Sequence, residues 1–131
     1  MLNLTLPAEA GLITPQPGEV LMVTNADLRE PANVTCWPTQ KLFEQRLETA
    51  LETLGYRLRR AHPVNEQRGH GFISSQKEGS ELFAGIDPDA PVIVLLTAWQ
   101  YSHHLAPSLV HHRGPILLLA NFDGKIGRAH V

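Results

Sequence analysis

Cysteine is nearly missing: Cys36 is the only one in 131 residues, so no internal disulfide can form, and a stapled secreted scaffold is disfavoured. Long hydrophobic runs are missing too. Val92–Leu96 and Ile116–Ala120 are the longest, far short of the ~20 residues that span a bilayer, and no cationic segment leads into an apolar stretch at the start. No membrane association is therefore expected, and a reducing, cytoplasmic setting is. Neither sign of charge dominates, with 11 basic against 13 acidic side chains, so the basic footprint of a nucleic-acid binder is absent. Charged residues make up only 18% against 43% apolar, which excludes a disordered chain. There is no internal repeat and no low-complexity segment.

What is present suits one domain, since folding at this length removes roughly two-thirds of the unfolded chain's surface from water. Residues 1–18, with Pro7, Pro15 and Pro17, read as an N-terminal arm or edge strand. Glu19–Asn25 (EVLMVTN) is the first core strand. A helix is expected over 39–54, with Pro38 near its first turn, an apolar stripe of Phe43, Leu47, Ala50, Leu51 and Leu54, and Gly55 as its stop. A second strand at 56–62 alternates Arg57 and Arg59 with Tyr56 and Leu58, so it belongs near an edge with one wet face. Residues 69–85 read as a loop and then a weaker helix carrying Phe72, Ile73, Leu82 and Phe83, bent near Gly79.

The stretch 91–98 is a third strand, aliphatic enough to be buried on both faces; 105–112 is a short helix stopped by Gly114; 116–121 is a fourth, equally aliphatic strand. Strands alternating with helices at this spacing imply an α/β fold: a doubly wound, mostly parallel sheet with helices on both faces, Rossmann-like or flavodoxin-like. The domain is expected to cover 19–124. Residues 126–131 (IGRAHV) continue no element, and back-translated they match a widely used sequencing adaptor, a match that a Lys125 codon ending in AG extends. Residues 125–131 are accordingly read as a non-native tail, with the natural chain cut after about Gly124.

Ligands of open parallel sheets sit beyond the carboxyl ends of the strands. The unusual polar clusters fall there: Asn25, Asp27, Arg29, Asn33, Cys36 and Trp37 after the first strand; Trp99, Gln100, Tyr101, Ser102, His103 and His104 after the third; Asn121 and Asp123 after the fourth. An indole beside amide, guanidinium and carboxylate groups suits a polyol, because the ring covers C–H faces while the polar groups pair with hydroxyls. Trp37 and Trp99 read equally well as packing residues, and Arg29 as a surface charge.

The histidines do not have metal spacing. His103 and His104 are adjacent, while His104 and His111 lie about 10 Å apart along a helix axis, so no metal ligands are assigned. His111 and His112 read better as partners of a helix C-terminus. Residues 69–74 (GHGFIS) form a partial dinucleotide fingerprint lacking its last glycine and better read as an ordinary loop. A phospho-receiver would want an acidic tip after the third strand, where Trp99 stands. Cys36 has no base in sight, Ser102 beside His103 is not a triad, and no catalytic residue is assigned.

The segments VTNADLREPANVTCWPTQ, RRAHPVNEQRGHGFISSQKEG, WQYSHH and HHRGPILLLANFDG together resemble the N-terminal domain of the L-fucose isomerase and L-arabinose isomerase superfamily, in its fucose isomerase-like branch, over about residues 19–124. The resemblance implies a recognition domain of an aldose–ketose isomerase, inactive alone, in a homo-oligomer. The complete enzyme would use Mn2+ held by residues of later domains; this stretch carries no cofactor of its own. It also implies substrate-binding roles for Arg29 and Trp99, with Gln100, Tyr101 and His103 as neighbours in the same motif; Trp37 joins them on its chemistry. Phe122 departs from the branch, which often has Trp there. The alternative is a non-catalytic sugar-binding or assembly domain. Either way the partners are a small sugar and further copies of the chain, with no nucleic acid and no membrane.

Overall fold

The structure is a computed structural model that describes residues 11–97 and 99–120, with the side chains of Trp99 and Gln100 lying outside that description. Also outside it are the first ten residues of the expected arm, Asn121, Phe122, Asp123 and the tail 125–131. Four parallel strands, β1 (Glu19–Asn25), β2 (Arg57–Arg60), β3 (Val92–Leu96) and β4 (Ile116–Ala120), form one sheet in the order β2-β1-β3-β4. The fold is therefore doubly wound α/β, as the alternation of elements predicts. Strand order reverses direction between β1 and β3, which are paired in register from Leu21 opposite Val92 to Asn25 opposite Leu96.

Period-two alternation sends neighbouring residues of these central strands to opposite faces. Leu21, Val23, Val92 and Val94 meet Leu82, Phe83, Leu105 and Leu109 on one face. Met22, Ile93 and Leu95 meet Phe43, Leu47 and Leu51 on the other. Helix α1 (Glu30–Thr53) supplies the second set; helices α2 (Gln76–Ala84) and α3 (Ala106–His111), with the 3-10 turn Trp99–His104 between β3 and α3, supply the first.

Two helix expectations are corrected. Helix α1 begins at Glu30, nine residues before the expected start, because Pro31 takes the first-turn position and Pro38 is accommodated inside the helix. Pro38 lies on the exposed side of the helix, one turn after the exposed Val34, whose carbonyl loses its helical donor to the proline. Phe72 and Ile73 are not helical. Ile73 runs beside the end of β1, donating to Thr24 O at 2.8 Å while its own carbonyl accepts from Ala26 N–H at 3.0 Å. Helix α2 starts only after Ser75, whose Oγ caps it by accepting the Glu78 N–H at 3.2 Å. Gly79 does not interrupt α2; it is buried where the helix meets the 99–104 turn.

The two sheet edges differ in character. On β2 Arg57 and Arg59 are exposed and Leu58 packs inward, as the alternation predicts. On β4 the aliphatic run is largely exposed: Leu117 and Leu118 are 52% and 53% exposed, and by their pairing with Ile93 and Val94 they face opposite sides of the sheet. Only Leu119 packs against the core, so the described elements leave most of this strand uncovered.

Candidate functional site at the β1 and β3 tips

In an α/β sheet the crevice opens where strand order reverses, because the connections after the two central strands leave toward opposite faces. Here that point lies between β1 and β3. Asn25, the last residue of β1, donates through Nδ2 to the carbonyl of Tyr101 at 2.9 Å, and its own carbonyl accepts the Thr97 N–H at 3.1 Å. The two tips are thereby tied side by side.

On the β1 side the chain turns into α1 through a closed set of hydrogen bonds. Asn33 accepts the Asp27 N–H at 2.9 Å and donates back to the Asp27 carbonyl at 2.8 Å. The Asp27 carboxylate accepts from the Arg29 N–H at 2.9 Å, from Nε at 3.1 Å and from Nη2 at 2.6 Å. This fork holds the Asp27 pKa below its ordinary value against the opposing effect of burial, and the Tyr101 hydroxyl adds to the lowering. Arg29 itself remains 72% exposed at the rim.

On the β3 side three rings stack. Tyr101 lies nearly parallel to His104, with centroids 5.5 Å apart and planes at 17°, and His103 meets His104 edge-on at 4.6 Å. His103 is exposed, Tyr101 half-buried and His104 buried. Burial, and then the nearby His103, push the His104 pKa down and keep its ring neutral.

The structure thus brings together Arg29, Tyr101 and His103 from the expected recognition set. Trp99 and Gln100 sit on the same turn by backbone position. Trp37 is elsewhere. Two turns into α1, it packs edge-on against Phe72 at 5.4 Å, with the Arg60 guanidinium 5.5 Å over its ring. It lines a separate groove of about 420 Å³ between α1 and β2, together with Lys41, Glu44, Leu58, Arg60 and Val64. Being on a helix instead of in a loop is what removes it from the crevice. Cys36 packs in the same cluster.

Asn25 and His104 are absent from the recognition set read from the sequence. Asn25 follows a run of aliphatics and looks like a strand terminus, and nothing in the pair of adjacent histidines says which one turns inward.

The 62–75 connection, which includes the partial fingerprint, behaves as a structural loop. His70 is buried, with Nδ1 accepting the Phe72 N–H at 3.0 Å and Nε2 donating to Glu30 at 2.9 Å. Arg68 spans Glu30 at 2.8 Å and Glu78 at 3.1 Å and also bonds Ser74, joining the first turns of α1 and α2. Arg68 lowers the Glu30 pKa to about 2. His111 and His112 stand at the end of α3, as expected: His111 is exposed in the last turn, and His112 is the C-cap, its N–H donating to the Leu109 carbonyl at 3.2 Å and its Nε2 to the Ala90 carbonyl at 2.7 Å.

Among the described residues no three His, Cys, Asp or Glu side chains converge on a position that could hold a metal ion. The resemblance puts its Mn2+ on residues of later domains, and no chemical step is assigned through it here. Among the described residues no helix is long and apolar enough to cross a membrane. No family model, curated protein or solved structure matches the chain.

Proposed function

We propose that this chain is a sugar-recognition domain of the kind its sequence resembles, the N-terminal part of an aldose–ketose isomerase, and that a small polyol binds in the crevice between the β1 and β3 tips. The observation that supports this reading most is the Asn25 to Tyr101 hydrogen bond, which puts the Asp27–Arg29 fork beside the Tyr101–His104 ring stack at the reversal of strand order. A sugar offers hydroxyls that both donate and accept. Arg29 donates, Asp27 accepts, and the rings supply apolar faces for C–H groups. Trp99 and Gln100 contribute from the same turn.

In this reading the chain binds and orients the sugar, and the proton transfers belong to residues outside it. The bare β4 favours a second reading, assembly: a continuous aliphatic strand exposed on both sides suits contact with further copies or further structure, whereas the arginine-flanked β2 does not.

Arg29→Ala tests the recognition role. Affinity for L-fucose or L-arabinose, measured by calorimetry, is expected to fall about tenfold, and the melting temperature to drop by a few degrees as the largely buried Asp27 carboxylate loses its guanidinium partner. Unchanged affinity would leave Arg29 as a surface charge paired with Asp27.

A further inference from the structure

Three buried side-chain polar atoms among the described residues meet no hydrogen-bond partner: Asn25 Oδ1, His104 Nδ1 and His104 Nε2. All three lie at the β1 and β3 tips. The Ala26 carbonyl lies near enough to His104 to favour a proton on the ring, yet outside hydrogen-bonding geometry. Folded proteins satisfy nearly all such atoms, and an apolar side chain of the same shape would be more stable here. Elsewhere this chain follows that rule: buried His70 uses both ring nitrogens, and buried His62 accepts the Thr24 N–H.

We propose that Asn25 and His104 are specificity-determining residues of this site, reading neighbouring hydroxyls on the ligand: Asn25 Oδ1 accepts from one, and the two nitrogens of the neutral imidazole, which point to opposite sides of the ring, serve different hydroxyls, one donating and the other accepting. The inference rests on the sugar reading above. A hydroxyl matches a neutral imidazole because each both donates and accepts. An anion would face the Asp27 carboxylate and Asn25 Oδ1, both acceptors, and a cation would face Arg29. The half-buried Tyr101 stacks on His104, so a ligand that reaches the imidazole must displace that ring.

His104→Phe keeps a ring stacked on Tyr101 and removes both nitrogens. With L-fucose, L-arabinose and their alditols as probes, the variant is expected to melt at or above the wild-type temperature and to bind the best wild-type probe at least about tenfold more weakly, while His104→Gln, which can donate and accept, recovers most of the affinity. A lower melting temperature with full affinity would make His104 a packing residue and overturn the proposal. If Phe prevents folding, the wild-type protein decides: the His104 ring 15N resonances must shift on adding sugar, and fixed resonances despite binding overturn it. Absence of binding by every probe would instead remove the sugar reading, and this inference with it.

Discussion

Gly79→Ala is expected to destabilise the protein by about 3 kcal/mol or more, although alanine is the better helix former. A Cβ built on Gly79 would lie 2.1 Å from the His104 carbonyl oxygen and 3.0 Å from a Leu105 methyl. The first of these is backbone and cannot rotate away, so α2 and the 99–104 turn would have to separate. The propensity gain of about 1 kcal/mol is smaller than that distortion. For a domain of this size the melting temperature should drop by about 10 °C. Gly85→Ala provides the contrast: it has φ −99° and no neighbour nearer than 3.5 Å, so its variant should melt within a few degrees of wild type. Equal melting of the two variants would mean that α2 does not approach the turn this closely, and the support of the ring stack would need another explanation.

The second large effect is loss of stability in mild acid. His62 is buried, its Nε2 accepts the Thr24 N–H at 3.2 Å, and burial, aided by the nearby Arg60, lowers its pKa to about 3 from 6.5. A folded pKa below the unfolded one means that the unfolded chain takes up a proton that the folded chain refuses. The contribution is complete above pH 6.5 and is lost as pH falls from there toward 3, at up to about 1.4 kcal/mol per pH unit. Glu30 acts in a lower window. Its pKa, lowered from 4.5 to about 2 mainly by Arg68, makes its contribution disappear between those values.

Denaturant midpoints at pH 7, 6, 5 and 4.5 therefore isolate the histidine effect. His62→Gln keeps an acceptor for Thr24 and cannot titrate, so most of that slope should disappear. His104, lowered in the same direction, leaves a residue of it. A slope unchanged in His62→Gln would show that His62 is not the group holding off the proton.

Much of the architecture could be read from the residues because the physics there is local. The aliphatic runs of β1 and β3 are buried on both faces, and the alternating arginines of β2 mark an edge. Pro38 misleads because a proline reads as a helix start, whereas Pro31 already fills that role and Pro38 sits on the exposed side of the helix interior. That error carried Trp37 into a loop and so into the recognition set. Phe72 and Ile73 were drawn into a helix because a short apolar pair has no periodicity to contradict it; their partners, Trp37 and Thr24, are distant in sequence. Arg29, Tyr101 and His103 could be anticipated from strand-tip chemistry, but the inward turn of His104 and the open acceptor of Asn25 depend on tertiary packing.

The chain has two tryptophans, in different places: Trp99 belongs to the turn after β3, and Trp37 to the groove between α1 and β2. Labelling both with 5-fluorotryptophan gives two fluorine resonances to follow during titration with L-fucose or L-arabinose. A saturable shift of the Trp99 signal with Trp37 unmoved is the predicted result. A shift of Trp37 alone, or of neither, would contradict a sugar site at the β1 and β3 tips.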